Sequence, residues 1–402
     1  LRNVYLLAAA QALAASGTFT IVLLGGILGA ELAPRPEWAT LPVSMGILGV
    51  AATTIPAALL MQRVGRKRTF ILGAVLAGLS SLGVAWAVEQ QQFVIFCAAI
   101  FLMGANLACV HQYRFAAVEY LEPERAGMAV SIVMCGMLLA AAIGPQFALA
   151  ARGWLPRSEY AGSFVAVSLL YLGAVFLLAR LGAPRVHAVH SPEPARPLAG
   201  LARHPAFVVA VLAGIAGYAV MSFIMTATPL SMHVVDGMSV EATTWVIQSH
   251  LLAMFVPSLA SGWLVTNVGV RPMMALGVLL MSLCIAISAL GSHHLMHYWW
   301  GLVLLGAGWN LLFVAGTTLL TTTYRPSERF RAQGVNDFAV FGSQATASLL
   351  AGPAIQHLGW KVLNLASAPL LVAMVIGLLI LYRREAAARS RSATVRGGRQ
   401  EA

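Results

Sequence analysis

Residues 104–110 read Gly-Ala-Asn-Leu-Ala-Cys-Val and residues 308–314 read Gly-Trp-Asn-Leu-Leu-Phe-Val, so Gly104, Asn106, Leu107 and Val110 recur as Gly308, Asn310, Leu311 and Val314 at an offset of 204. The same offset carries Val64-Gly65 onto Val268-Gly269, Leu72-Gly73 onto Leu276-Gly277 and Lys67 onto Arg271. Further along it carries Tyr120, Glu124 and Arg125 onto Tyr324, Glu328 and Arg329. Apolar composition produces one such coincidence by chance. Polar matches at one constant spacing, across two loops and a helix, mark an internal duplication. The offset is close to half of the 402 residues, so the duplication takes in nearly the whole chain.

Composition says what is duplicated. Hydrophobic residues make up 59% of the chain and charged residues 10%, where a soluble domain carries roughly a quarter charged. A span needs ~20 apolar residues, and such runs occur near 4–30, 38–61, 69–88, 93–118, 128–151, 160–182, 205–232, 242–266, 272–292, 298–323, 332–356 and 362–382. The expected fold is therefore all-α and integral to the membrane, with twelve transmembrane helices. Little chain remains for an extramembrane domain, which excludes a soluble enzyme on an anchor. Six spans separate equivalent points, so the two repeats run parallel, related by an axis along the membrane normal. Residues 1–182 form the first six-helix bundle, the proline-rich segment 183–204 a cytoplasmic linker, and residues 205–382 the second bundle. Residues 383–402 read as a disordered basic cytoplasmic tail. The first run continues past residue 20 and reads as a retained span, not a cleaved signal.

The formal charge of +11 becomes topology once placed on this map. With both termini cytoplasmic, all Lys and Arg except Arg35, Arg152, Arg157 and Lys361 lie on the cytoplasmic side. That asymmetry is the positive-inside pattern of a multi-pass protein with an even number of spans. The basic loops meet lipid headgroups. No basic domain interleaved with aromatics is present, so nucleic acid is not an expected partner.

The loop after the second run reads Ala58-Leu-Leu-Met-Gln-Arg-Val-Gly-Arg-Lys-Arg68. With the six-plus-six repeat, it resembles the loop signature of the major facilitator superfamily, the bacterial twelve-helix transporters. Arg63, Gly65, Arg66 and Lys67 match that signature, while Ala58 stands for its glycine and Gln62 for its acid. The second copy keeps Gly262, Gly269 and Arg271, with Thr266 in the acid's place. The resemblance implies two bundles rocking about a midplane cavity in a bacterial-type cytoplasmic (inner) membrane, and a gating role for Arg63, Gly65, Arg66 and Lys67. Physically, Gly65 permits a tight reversal between antiparallel helices and the cations meet headgroups and helix carbonyl ends. In the fifth run Gly144-Pro145 bends the helix and is a second gating candidate. It resembles the glycine-rich fifth-helix signature of the family's drug/proton antiporters, with Ser131, Ala140 and Ala148 in place of glycines. That residual pattern sets export slightly ahead of uptake.

Intramembrane polar groups are costly, so each is a candidate for function. His111 and Arg114 are three residues apart and share a face at the end of the fourth run, with Glu119 nearer the water. They suit an anionic group or a proton path; the alternative for Arg114 is snorkelling to the interface. Asp337 lies several residues inside the eleventh run. A carboxylate between a low-dielectric wall and a nearby arginine suits proton coupling, and Glu119 is the second candidate. An acid near a helix start, paired with Arg329 or Arg331, is the alternative for Asp337. Gln11, Asn106, Gln248, His250, Trp309, Asn310 and Gln344 are further substrate-binding candidates, with interhelical hydrogen bonding as the alternative. Tyr218, Met221, Ser222 and Met225 outline an amphipathic wall.

Cys97, Cys109, Cys135 and Cys284 lie in apolar runs without CxxC spacing and read as small core residues. There is no nucleotide loop, GxSxG or HExxH, and His293, His294 and His297 do not form a ligand set. No enzyme, cofactor or metal is expected. The expectation is a monomeric secondary transporter whose partners are a small organic solute, protons and membrane lipids. Two alternatives stand beside proton-coupled movement: uptake of an anionic metabolite through Arg114 and His111, and a receptor or scaffold that has lost transport.

Overall fold

The computed structural model describes residues 1–121, 126–182, 200–201, 203–291, 294–325 and 328–397. Most of the linker, with Glu124, Arg125, His293 and residues 398–402, lies outside them. Among the described residues every regular element is helical. The first half holds Arg2–Leu32, Leu41–Val64, Arg66–Glu89, Phe93–Val110 extended by Tyr113–Val118, Ala126–Ala150 and Ala161–Ala179. The second holds Pro205–Pro229 with a π turn over Leu230–Val235, then Val240–Phe255 carried on by Ser261–Asn267, then Val270–Leu290 and Leu295–Thr321. Arg329–Leu365 and Ala368–Gly397 complete it.

Ten of these segments are long and apolar enough to cross a membrane, and two local breaks bring the spans to twelve. The eighth is read from sequence as one helix over 242–266. It is interrupted by a 3₁₀ turn at Val256–Leu259, where Pro257 lacks the N–H an α-helix needs and crowds the preceding turn. The apolar stretch 332–384 is two spans, reversed at Gly359, whose φ of 72° and ψ of 173° are open to glycine alone. The expected disordered tail is helical through Gly397, which follows from the strong helix formers Glu-Ala-Ala-Ala-Arg at 385–389.

The duplication is visible in the backbone itself. Gly65 has φ 86° and ψ 157°, and Gly269 has φ 92° and ψ 158°. Each joins two spans without an intervening loop, in a conformation where a Cβ would clash with the backbone. The packing partners repeat too. Span 1 packs on span 5, 2 on 4 and 3 on 4, and likewise 7 on 11, 8 on 10 and 9 on 10. Between halves, span 2 packs on span 11 and span 5 on span 8, a pair of contacts related by the same repeat. Small residues allow these approaches: a Cβ on Gly104 would sit 2.0 Å from the carbonyl oxygen of Gly46.

The two halves are joined at one end. Opposite the end that bears Arg63–Arg68, Ser348 Oγ of span 11 lies 2.8 Å from Ser44 Oγ of span 2 and 3.0 Å from Thr226 Oγ1 of span 7. Gln146 donates to Gln248 Oε1 at 3.0 Å, and Gln248 in turn donates to the Ala142 carbonyl. Arg152 Nη1 meets Glu241 Oε1 at 2.6 Å, and His357 lies 3.8 Å from Glu37. A Cβ on Gly352 would come within 2.4 Å of the Glu37 carbonyl oxygen. These contacts close the far end and leave the basic end to the space between the bundles.

Candidate binding site

That space is a cavity of about 250 Å³ between the halves. Stripes at helical spacing build it. Span 7 contributes Ala210, Gly214, Tyr218, Met221, Ser222, Met225 and Thr226, and span 11 contributes Asp337, Phe341 and Gln344. Thr317, at the basic end, is exposed, and Arg114, Asn336 and Asp337 are part-exposed there. At the far end His250 and Thr226 are buried. The cavity therefore has a mouth toward the basic end and a floor under the closed seam.

Its middle is aromatic. The rings of Trp309 and Phe313 stack at 10° with centroids 5.2 Å apart, as their spacing of four residues on one helix allows. Tyr218 stands edge-on to Trp309 at 5.1 Å, to Phe313 at 5.7 Å and to Phe341 at 5.7 Å. Phe341 stacks on His111 at 6.0 Å and 16°, carrying the cluster across to the first half. Phe255 joins Trp309 to Phe19 of span 1. A wall of ring faces and edges takes a planar aromatic solute by offset or edge contacts.

Around this box, several buried polar atoms have no partner among the described residues: Gln11 Oε1, Arg114 Nε, His250 Nε2 and Trp309 Nε1. All four residues line the cavity. Buried polar groups are normally satisfied, so these are unmet hydrogen-bonding capacity in the cavity wall. At the mouth, Arg114 of the first half and Asp337 of the second both line the cavity. Asn336 donates to Asp337 at 3.1 Å. The fourth span breaks at His111 and Gln112, so both, together with Arg114, reach the cavity from a short separate helix or its turn.

Of the residues singled out from sequence, Gln11, His111, Arg114, Tyr218, His250, Trp309, Gln344 and Asp337 share this cavity, with Met221, Ser222 and Met225. Others sit elsewhere. Asn106 is buried against Gly73, and Asn310 donates to the Met254 carbonyl and to Ser258. The recurring asparagines thus pack span 4 on span 3 and span 10 on span 8. Gln248 belongs to the closed seam. Glu119 pairs with Arg66 at 2.8 Å at the basic end, outside the cavity. Lys67 donates to the Leu181 carbonyl at 2.7 Å, so both cations tie span ends together within one half, and Arg63 is exposed. Gly144 and Pro145 are buried in an uninterrupted helix, with Gly144 set against Ser16 of span 1. Phe19, Phe255, Phe313 and Phe341 were not singled out from sequence. The spacing Asp337, Phe341, Gln344 was the available signal on span 11.

A comparison with family models matches the Major Facilitator Superfamily over residues 6–247 and 210–401. The chain belongs to the Major Facilitator Superfamily. A riboflavin transporter of Brucella anthropi is 38% identical over 96% of this chain and 97% of its own. An uncharacterized transporter of the same type from Bacillus subtilis is 25% identical over 90% of this chain and 87% of its own. Among solved structures, a bacterial homolog of the human lysosomal transporter Spinster, inward-facing and unoccupied, superposes with a TM-score of 0.66 at 16% identity over 94% of each chain. This Major Facilitator Superfamily protein is a multi-pass membrane transporter and not an enzyme.

Proposed function

We propose that the chain is a secondary active transporter for a planar heteroaromatic solute, with riboflavin as its first candidate substrate. The observation that carries this reading is the aromatic box of Tyr218, Phe255, Trp309, Phe313 and Phe341, bordered by unpartnered polar atoms. Full-length similarity to a riboflavin transporter supports it. Riboflavin joins a flat tricyclic ring to a hydroxylated tail, which suits a box of rings with polar groups at floor and mouth.

The basic end is cytoplasmic in this reading, because Lys and Arg gather on the inner side of multi-pass proteins. The cavity then faces the cytoplasm of a bacterial cell beneath a closed outer seam. Alternating access follows if the seam parts while the mouth shuts, and Arg114 and Asp337 stand on opposite halves at that mouth. Asp337 is the coupling group, since protonation would remove its charge at the mouth it shares with Arg114 and make approach of the halves depend on proton and substrate together. Glu119, held by Arg66, is better placed to fasten the first bundle. The arginine that would serve an anionic metabolite shares the cavity mouth with the Asp337 carboxylate, which favours a neutral solute. Gly144 has a packing role, and the expectation of export rests on no other feature.

The deciding experiment measures riboflavin movement by purified protein in liposomes, with and without a pH gradient of either polarity. Accumulation that depends on the gradient is expected, and its polarity gives the direction. Binding without movement would support the receptor alternative, and neither binding nor movement would overturn riboflavin as substrate.

A further inference from the structure

His250 is a fully buried imidazole in span 8, and it lines the cavity. Its Nδ1 lies 2.7 Å from the carbonyl oxygen of Leu302 in span 10. A carbonyl oxygen only accepts, so Nδ1 donates and carries the proton of the neutral ring. Nε2 is then an acceptor. Among the described residues no group donates to it. The backbone holds this arrangement firmly, because Gly306 lets span 10 press against the His250 carbonyl, where a Cβ would come within 2.6 Å.

Its depth follows from its neighbours. His250 is two residues from Gln248, which bonds across the closed seam to Gln146 and Ala142. It is five residues, or about 7.5 Å of helix rise, from Phe255 at the edge of the aromatic box. His250 thus belongs to the floor-side wall of the cavity, beyond the rings that would hold a planar solute, with Nε2 covered in this conformation.

We propose that His250 determines specificity by accepting, at Nε2, a hydrogen bond from a ring N–H on the leading edge of the substrate. This rests on the reading of the solute as riboflavin or a close relative. Oxidised riboflavin has a single ring N–H, at N3, between two carbonyl groups at one end of its fused system. The imide edge enters first and meets His250, the ring system lies among Tyr218, Trp309 and Phe313, and the hydroxylated tail points to Gln11, Arg114 and Asp337 at the mouth. A solute of the same shape whose leading edge lacks a donor leaves the acceptor buried and unpaired.

The test compares riboflavin with 3-methylriboflavin, which replaces that N–H and leaves the rest of the molecule intact. Affinities are read by flavin fluorescence quenching and by competition for uptake in liposomes. Wild type is expected to bind the methylated compound roughly 10- to 100-fold more weakly. In His250→Phe, which keeps a ring but no acceptor, riboflavin weakens toward the same level and the preference collapses. His250→Gln, which can still present an acceptor, retains part of it. Equal affinity of wild type for the two compounds overturns the role of His250 even if the variants fail to fold, as does an undiminished preference in a folded His250→Phe. A wild type that does not bind riboflavin at all overturns the substrate reading instead.

Discussion

Single side chains carry two consequences here, one for binding and one for energy. Trp309 is 4% exposed, packs against Tyr218, Phe255 and Phe313, and leaves its indole N–H unpaired beside the cavity. Aromatic contacts contribute ~0.5–1.5 kcal/mol each beyond area burial. Trp309→Ala should therefore weaken riboflavin binding about 10-fold or more, while Trp309→Phe keeps most of the affinity; fluorescence titration in nanodiscs separates the two. Asp337 is the coupling residue in the proposed mechanism. Asp337→Asn should abolish accumulation driven by a pH gradient yet preserve exchange of labelled for unlabelled substrate, because the cavity survives and only the titrating group is lost. Gradient-driven accumulation with an unchanged pH profile in that variant would remove Asp337 from the mechanism. Sequence alone drew attention to both residues, one as a bulky polar aromatic beside a repeated asparagine and the other as a scarce intramembrane acid. It could not distinguish Asn310, turned into the packing between spans 8 and 10, from its neighbour Trp309 on the cavity.

At the scale of elements, the repeat makes a paired prediction. Gly65 and Gly269 occupy the same glycine-only backbone region within a few degrees. Ala at either position should cost ~1–3 kcal/mol, seen as a lowered Tm in detergent, with similar losses in the two halves. Gly334 is the control, since it lies in a helix with nothing within 4 Å of a built Cβ. Gly334→Ala should leave Tm unchanged or raise it, because alanine is the better helix former. The breaks in spans 4 and 8 show where local reading falls short. Pro257 was in plain view, yet a proline inside a long apolar run bends or interrupts a helix according to what its neighbours supply to the freed backbone groups. The turn at His111 and Gln112 has no proline or glycine to announce it.

For the whole molecule, the closed seam is the feature that makes two bundles into one device. Ser44, Thr226 and Ser348 come from spans 2, 7 and 11 and meet in a buried hydrogen-bonded group. Ser44→Cys with Ser348→Cys, in a background without Cys97, Cys109, Cys135 and Cys284, should form a disulfide on oxidation, because the two hydroxyl oxygens are 2.8 Å apart. The cross-link should stop transport while leaving binding from the basic end intact, and reduction should restore movement. Transport that continues after complete cross-linking would show that the seam does not part during the cycle.

Membrane crossing in two parallel repeats of six helices was legible in the order of residues alone. Hydropathy, charge sidedness and a constant offset are properties of the residues along the chain, and the apolar bilayer core admits few ways to satisfy a polar backbone. The same order also placed most of the polar residues that line the cavity. Which of them share a face of the cavity was settled by helix packing. The rotation of each helix about its axis is set by packing against other helices, and these close approaches join residues hundreds of positions apart, such as Ser44 and Ser348. The same packing turned Asn106 and Gln248 away from the cavity, brought five aromatic side chains from four helices into one box, and set His250 in the cavity wall.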